Sequence, residues 1–482
     1  MRRLLCGVLS LSVLLTAAGC TLSTQPENQE SDLPCINIQI FGGTADAAAQ
    51  RISETASRIT REKLGCRVEF QFVERTDYSA ELNCQRLGDG LTDIFVVESN
   101  SDLVEMVASG EILCLDSLLQ DSVLCDEINS YEWYSVTLDD HRYGVPFNNS
   151  QPTSLAFCMR MDICRELGID PAQIKTMDQL QDALLLVQEK YPDLVPVVPN
   201  YSEIAPTNLG MWDTPIYDSR TSSIGVLPYN DPMTGQLSLI TQTPQFWDWC
   251  RTMYRWNQQG LTLRYPSFNQ EARVALMGAG KAFGGFMSYN ASTALNQQIN
   301  VTDELGYAIL SEPYIDSGYS NLAFGISSRA ENPALCVQLL ELLYTDVDLL
   351  RLCTYGEEGI DYEVVDGEYH ALTQETPHHV VNLWCWPNNR KLFEKEYLRQ
   401  WEDEWKRAEI SPMMGFAFDS SGCEQQAGAC YQLMNQYYRM LMNGEGDPEI
   451  LIPELEQKIL AAGGETVLAE MQQQLNEWIA AH

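Results

Sequence analysis

The chain has 482 residues, of which 45% are hydrophobic and 10% aromatic, as expected for a globular protein. Its formal net charge of −37 would repel the phosphates of nucleic acid, so we exclude nucleic-acid binding as its function. Single hydrophobic cores stop growing beyond about 250–300 residues, so a chain of this length is expected to form two lobes or domains.

The N-terminus has the pattern of a bacterial export signal. Arg2 and Arg3 precede an uncharged apolar run over 4–16, and small residues at 17–19 lead into Cys20. We predict a signal peptide over residues 1–20, cut before Cys20, which becomes the first mature residue and takes lipid. The alternatives are an ordinary signal peptide and a membrane helix, but the apolar run is shorter than the span of about 20 residues that a membrane helix needs.

Residues 21–34 are polar and short of apolar side chains, which predicts a flexible tether. Beyond the tether, β-rich segments alternate with segments of helical composition. This β-α-β-α-β order predicts a parallel sheet covered by helices. The predicted strands are 36–40, 67–73 and 93–97, and the predicted helices are 47–64 and 103–108.

A second β/α series follows a strand-like crossing near residues 143–146. It begins with a predicted strand at 154–159. A capping box formed by Thr176 and Gln179 marks the start of the next helix. The last third of the chain is predicted to be mostly helical, with helices at 427–441, 450–461 and 465–481.

The 15 cysteines are scattered and include no CxxC motif. Without Cys6 and the lipid-bearing Cys20, 13 remain, which is an odd number. The closest mature pairs, Cys158/Cys164 and Cys423/Cys430, have no histidines placed to complete a zinc site. We therefore expect mostly free thiols that pack as small hydrophobic groups, while one or two disulfides stay compatible with the sequence.

The order of these elements resembles that of family 1 extracellular solute-binding proteins, the sugar-binding subunits of ABC importers. Each local motif is short, and the resemblance depends on their order and spacing. The matching motifs are 93–95 (DIF) with 110–116 (GEILCLD), 141–146 (HRYGVP), 280–283 (GKAF) and 305–310 (LGYAIL).

The C-terminal part resembles a narrower subgroup, the lipoproteins of the LipO type with a DUF3502 region. The matching pieces are 355–362 (YGEEGIDY), 415–419 (GFAFD) and the closing segment 460–478. Where the subgroup has a tryptophan-rich segment, this chain has 383–388 (LWCWPN), which agrees only loosely.

The resemblance implies a two-lobed periplasmic-binding-protein-like α/β fold of class II, with discontinuous lobes and a helical C-terminal extension. Lobe I is expected to comprise 35–147 plus 316–350, and lobe II to comprise 148–315 plus 351–482. The resemblance also implies a monomeric lipoprotein, anchored outside the cell membrane, that binds a neutral carbohydrate between its lobes. That ligand is expected to be an oligosaccharide, and the partners are expected to be ABC permease subunits, with no cofactor.

Capture of a sugar needs flat apolar faces and polar side chains where two lobes meet. Trp384 and Trp386 lie two residues apart, so in an extended segment they share one face, with Asn388 beside them. We expect these three residues to form a stacking platform, although a pair of core tryptophans would show the same spacing.

Other candidate ligand contacts follow strand ends or lie at the first crossing. Tyr289 and Asn290 come after the predicted strand 282–287. The remaining candidates are Glu98 and Asn100 after the strand 93–97, Asn148, Asn149 and Gln151 at the crossing, and Trp212 and Asp213 in a loop where a structural role is equally expected. By contrast, helical spacing predicts core positions for Trp249, Trp256, Trp401 and Trp405.

Enzyme motifs are absent from the sequence, which has no G-x-S-x-G, no GxxxxGK[ST] and no HExxH. We therefore predict no catalytic residue and no metal site. Two alternatives stay open. One is a glycan-active enzyme, which needs two carboxylates that flank one bond. The other is a lipoprotein that senses a ligand without a transport role.

Overall fold

The fold is taken from a computed structural model. It describes residues 33–42, 46–74, 76–88, 92–98, 100–138, 140–148, 150–198, 212–214, 224–228, 235–263, 273–290, 293–294, 304–315, 322–365, 368–372, 395–414, 416 and 418–481. The predicted signal peptide, the predicted lipid site at Cys20 and nearly all of the predicted tether lie outside these ranges.

The elements up to the first crossing alternate as predicted from the sequence. In chain order they are β1 Cys35–Phe41, α1 Asp46–Leu64, β2 Arg67–Val73, α2 Tyr78–Leu87, β3 Ile94–Val97, α3 Asn100–Ala108, α4 Asp116–Leu119, α5 Leu124–Glu127, a 3-10 helix Ser130–Val136, β4 Thr137–Leu138, β5 His141–Arg142 and β6 Val145–Pro146.

The middle of the chain continues with β7 Ser154–Arg160, α6 Met161–Leu167, a 3-10 helix Pro171–Gln173, α7 Met177–Lys190, β8 Val195–Val197, β9 Trp212–Asp213, β10 Gly225–Pro228, β11 Ser238–Leu239, a 3-10 helix Ile240–Gln242, α8 Pro244–Gln258, α9 Arg273–Gly278, β12 Ala282–Tyr289, β13 Leu305–Ile309 and β14 Tyr314–Ile315.

The last part comprises β15 Ala323–Ile326, α10 Pro333–Thr345, α11 Val347–Tyr355, β16 Tyr362–Val365, β17 Glu368–Ala371, α12 Lys395–Arg407, β18 Glu409–Ile410, α13 Glu424–Met442, α14 Pro448–Ala461 and α15 Gly464–Ala481.

The first sheet has the strand order β2-β1-β3-β15-β6. Strands β1, β2 and β3 run parallel, while β15 runs antiparallel between β3 and β6. Strand β15 therefore returns to this sheet from a point far along the chain. The buried residues packed around the sheet, here called the first core, come from Ile36 to Phe147 and from Ala323 to Cys353.

The second sheet has the order β13-β7-β12-β8. Strand β7 is buried on both faces, and its side chains alternate between two hydrophobic clusters. Leu155, Phe157 and Met159 belong to the larger cluster, here called the second core, whereas Ala156 and Cys158 belong to a smaller one. The second sheet is therefore covered on both sides, as α/β sheets are.

The C-terminal helices α13, α14 and α15 form part of the second core, which includes residues from Met413 to Leu475. Trp249 of α8 donates its indole N–H to the carbonyl of Met442 (3.1 Å). Phe246 stacks on Tyr438 with ring centroids 6.2 Å apart. The three predicted C-terminal helices thus complete this core as one of its layers.

Three segments pass side by side between the two cores. The backbone N–H of Thr153, in the first segment, donates to the carbonyl of Tyr314, in the second (2.8 Å). The N–H of Tyr314 donates in turn to the carbonyl of Thr153 (2.9 Å). Strand β14 also pairs with β18, and the N–H of Ser411 donates to the carbonyl of Ile315 (2.9 Å). Extended segments that connect two packed bodies at one place are typical hinges.

The twelve cysteines that the structure describes are all free thiols, and most are buried. Burial raises the pKa of Cys158 to about 11 and the pKa of Cys336 to about 12, so both thiols stay protonated at neutral pH. Protonated buried thiols are poor nucleophiles. Within the same described ranges, no helix combines the length and apolar character needed to cross a membrane.

Candidate ligand-binding site

The end of strand β12 lies beside the first crossing. Antiparallel pairing of β12 with β7 places Tyr289 opposite Ser154, the first residue of β7. Ser154 directly follows the crossing segment, so Tyr289 and Asn290 are held next to the hinge. Strand β12 runs to Tyr289, two residues beyond the predicted end of the strand, so Tyr289 is its last residue and Asn290 follows it.

Tyr289 connects this strand end to helix α12. Its ring packs against Tyr307 with centroids 5.1 Å apart, and its side chain is half-buried. The side-chain amide of Gln400, in α12, donates to the Tyr289 hydroxyl, and the same amide nitrogen contacts Glu404 (3.1 Å). Helix α12 is therefore fixed against the end of the second sheet.

Two tryptophans of α12 lie next to the first core. Trp401 and Trp405 have ring centroids 5.4 Å apart. Trp405 in turn stacks on Tyr131, with centroids 5.9 Å apart and an interplanar angle of 29°. Tyr131 belongs to the 3-10 helix Ser130–Val136, and Trp133 and Val136 of the same helix pack in the first core. Helix α12 thus places aromatic rings between the two cores.

The prediction that Trp401 and Trp405 are core residues is wrong. Both are half-buried, and neither belongs to the hydrophobic clusters formed by the described residues. Spacing of i, i+4 shows only that two side chains share one face of a helix. What that face contacts depends on tertiary packing, which here puts it beside Tyr131 instead of against a closed core.

Buried polar atoms without hydrogen-bond partners lie in and beside the crossing. They are the hydroxyl of Ser150, the amide oxygen of Gln151 and the amide nitrogen of Asn290, and within the described ranges none has a partner. The indole nitrogen of Trp405 is also buried without a hydrogen-bond partner among the described residues. Unsatisfied buried polar groups cost free energy, so native structures retain them mainly where a ligand, water or ion supplies the partner.

Asn290 also fixes its own loop. Its amide oxygen accepts the N–H of Thr293 (2.8 Å), and the hydroxyl of Thr293 accepts the N–H of Asn290 (2.8 Å). The side chain is fully buried. The amide oxygen is therefore occupied, and the nitrogen is the group still able to bind a ligand.

Asn148 holds the loop in front of Tyr131. Its amide oxygen accepts the N–H of Asn129 (3.1 Å), and its amide nitrogen donates to the carbonyl of Glu127 (3.1 Å). Its backbone has a φ of +55°, in the left-handed region that asparagine tolerates better than most residues. The structure therefore gives this predicted ligand contact a positioning role, because its amide is already engaged.

The other predicted contacts lie on separate elements of the fold. Glu98, half-buried after β3, accepts a hydrogen bond from the hydroxyl of Ser79. Asn100 is the first residue of α3, and Trp212 is the first residue of β9. Asp213 is completely buried and accepts the N–H of Thr214 (2.8 Å), so it does not face open solvent. Asn149, Trp384, Trp386 and Asn388 lie outside the described residues.

A second aromatic contact joins the two cores through the last helix. Tyr134, in the same 3-10 helix as Tyr131, packs edge-on against Trp478 of α15 with centroids 5.8 Å apart. Trp478 also contacts Phe416 (6.3 Å). The 3-10 helix Ser130–Val136 therefore contacts both α12 and α15.

Comparison with known proteins places this geometry in context. Residues 412–480 match DUF3502, a domain of unknown function, which confirms the predicted resemblance of the C-terminal part; the predicted matching piece 355–362 lies outside the match. Over 506 aligned residues the chain is 22% identical to a carbohydrate ABC transporter substrate-binding protein of Streptococcus pneumoniae, covering 98% of this chain and 97% of that protein.

Solved structures show the same architecture. The N-glycan transport solute binding protein NgtS of Streptococcus pneumoniae superposes with a TM-score of 0.81 at 20% identity, covering 93% of this chain and 99% of NgtS. NgtS in complex with Man1GlcNAc gives a TM-score of 0.71 at 20% identity, covering 93% of this chain and 100% of that chain. The predicted resemblance and the predicted two-lobed binding-protein fold are confirmed.

Proposed function

We propose that this chain is an extracytoplasmic solute-binding lipoprotein that captures a neutral oligosaccharide between two lobes and delivers it to an ABC permease. The observation that carries the proposal is the meeting of Trp405 with Tyr131 between the two cores. The N–H of Ser150 donates to the carboxylate of Glu132, the residue after Tyr131 (2.9 Å), and buried polar atoms of Ser150 and the adjacent Gln151 lack partners among the described residues. Stacking faces and neutral polar groups together match the chemistry of a sugar.

The groups at this place suit hydroxyls better than ions. Sugar rings present C–H faces that pack on aromatic rings, as Trp401, Trp405 and Tyr289 would allow. Amide and hydroxyl side chains can each donate and accept, as a sugar hydroxyl does. The net charge of −37 adds a general repulsion against polyanionic ligands.

Hinge closure is the proposed mechanism. A ligand that touches both lobes stabilises the closed arrangement only through contacts that the open one lacks. The three crossing segments would bend, while the two cores move as bodies.

The proposed lobes are 35–147 plus 316–350 for lobe I, and 148–315 plus 351–482 for lobe II. The presence of Leu352 and Cys353 in the first core supports ending lobe I slightly later, after α11. Trp384, Trp386 and Asn388 stay proposed as a further part of the stacking surface, and the protein is proposed to act as a monomer.

A binding role, in place of catalysis, is supported by the relatives. The similar pneumococcal protein is described as a substrate-binding component of a carbohydrate ABC transporter. Permease subunits are accordingly the proposed partners of this chain. Since NgtS is described as an N-glycan transport protein, mannose- and N-acetylglucosamine-containing oligosaccharides are the first ligands to test.

We expect an oligosaccharide from such a panel to raise the melting temperature of the purified protein. A ligand at 100 times its dissociation constant stabilises the folded state by about 2.7 kcal/mol if it binds only that state. Thermal shift would identify the ligand, and chromatography of the mixture after incubation should recover it uncleaved. Cleavage products would instead support a glycan-active enzyme.

The proposed lipid anchor gives a second expected result. Cys20→Ser should release the protein from the membrane fraction or leave its signal uncut, because the lipid-bearing thiol is gone. Labelling of cells with a radioactive fatty acid should mark the wild-type chain and not the variant. Cys35→Ser, which changes the next cysteine along the mature chain, should keep the label. Label that persists in Cys20→Ser would contradict the anchor.

A further inference from the structure

Three side chains of different metal-binding types converge on the surface of the first lobe. They are Cys114, Asp116 and His141, and their ligand atoms all lie within 4.8 Å of one another. The ring Nδ1 of His141 is 2.7 Å from Oδ2 of Asp116, and the sulfur of Cys114 is 3.6 Å from the same oxygen. The three side chains therefore face one small volume.

The backbone around these side chains is tied together. The N–H of Leu115 donates to the carbonyl of Arg142 (2.7 Å), which joins the loop before α4 to strand β5. The N–H of Arg142 donates to Oδ1 of Asp116 (2.9 Å). One carboxylate oxygen is thus held by the backbone, while the other points toward the thiol and the imidazole.

This bond pattern resembles the support that metal ligands usually receive. A ligating carboxylate is commonly fixed by a hydrogen bond to its second oxygen, which orients the first toward the ion. Asp116 and His141 are both partly exposed, with 41% and 57% of their side-chain surfaces accessible, which leaves an entry path for an ion.

The arrangement does not match a nucleophilic triad. In such a triad the imidazole lies between the nucleophile and the carboxylate, where it can take the proton of the nucleophile. Here the thiol and the imidazole both contact the carboxylate, so the carboxylate is the central group. A shared ion explains the convergence of three ligand types better than proton transfer does.

We infer that Cys114, Asp116 and His141 form a binding site for one zinc-like divalent cation. Thiolate and imidazole favour zinc over calcium and magnesium, which prefer oxygen ligands. Zinc binds sulfur at about 2.3 Å and nitrogen or oxygen at about 2.0–2.2 Å, so tetrahedral ligand atoms lie roughly 3.3–3.7 Å apart. The 3.6 Å between Cys114 and Asp116 meets this separation, whereas the 2.7 Å hydrogen bond between His141 and Asp116 would open by about 0.6 Å to admit the ion. Three protein ligands leave the fourth position for water or a partner group.

Titration of the reduced full-length chain with Zn²⁺ alone, followed by calorimetry, tests the site. We expect one equivalent to bind, and we expect Cys114→Ser to weaken that binding at least about tenfold, as losses around metal sites commonly do. His141→Asn should give a similar loss. Since Co²⁺ bound by a thiolate gives a charge-transfer absorption band, that band should appear in the wild type and vanish in Cys114→Ser.

Cys84→Ser is the matched control, because Cys84 is another exposed free thiol. It should leave both the zinc affinity and the cobalt band unchanged. All three substituted residues are at the surface, so thermal melting without metal should match the wild type. Equal zinc affinity in Cys114→Ser and the wild type, or an equal loss in Cys84→Ser, would overturn the site. Neither result depends on oligosaccharide binding, so the proposed function stands or fails separately.

Discussion

Replacing Trp256 with alanine is expected to lower the free energy of unfolding by about 3–5 kcal/mol. The side chain is fully buried in the second core. Its ring stacks on Phe286 with centroids 6.0 Å apart, and its indole N–H donates to the side-chain oxygen of Gln181 (2.7 Å). Alanine would leave a large cavity and remove one hydrogen bond. Urea unfolding followed by intrinsic fluorescence would measure the loss.

Trp247→Ala, on the same helix, is the matched control. Trp247 is half-buried, with the guanidinium of Arg251 4.7 Å from its ring centroid. The same substitution should therefore lower the free energy of unfolding clearly less at Trp247, because only part of its ring is removed from water in the folded state. If both variants lost the same stability, the assignment of Trp256 to a closed core would be wrong.

Replacing Trp405 with alanine is expected to weaken oligosaccharide binding by about 1–3 kcal/mol, or roughly 5- to 150-fold in Kd. The half-buried ring stacks on Tyr131 and would present its remaining face to the ligand. It belongs to no hydrophobic cluster of the described residues, so stability should fall less than in Trp256→Ala. Calorimetric titration with the oligosaccharide chosen by thermal shift would give the Kd.

Two further variants separate stacking from structure in this experiment. Trp405→Phe should retain much of the affinity, since a smaller aromatic face remains. Trp247→Ala should bind like the wild type, because Trp247 packs against the second core and its indole N–H donates to the carbonyl of Thr241 (2.8 Å). A Trp405→Ala protein that binds normally yet unfolds easily would mean that Trp405 supports the fold and not the ligand.

The elements of the fold were largely accessible from the sequence because their signals are local. The capping box at Thr176 is formed, with Gln179 bonded back to the start of α7. The β-rich composition of residues 67–73 and the helical composition of the C-terminal third predicted elements that the structure contains. Such patterns depend on neighbours a few residues away, which the sequence displays directly.

The site was less accessible because it depends on contacts between distant segments. The strand-end position of Tyr289 was predictable, but its bond to Gln400 joins residues 111 positions apart. The role of Trp405 depends on Tyr131, which lies in the other half of the chain. For Asn148, the position at the crossing was predictable from the sequence. Its side-chain hydrogen bonds to the backbone of Asn129 and Glu127 were not.

The insertion of β15 between β3 and β6 has a consequence for how the chain can be divided and how fast it can fold. An N-terminal fragment that ends before Ala323 would leave one edge of β3 unpaired, and exposed edges invite aggregation. A fragment that ends before Met413 would still lack a layer of the second core. Neither body can therefore be completed by the first half of the chain alone. Contacts between such remote segments raise the contact order, so we expect slow folding that finishes only when the whole chain is present.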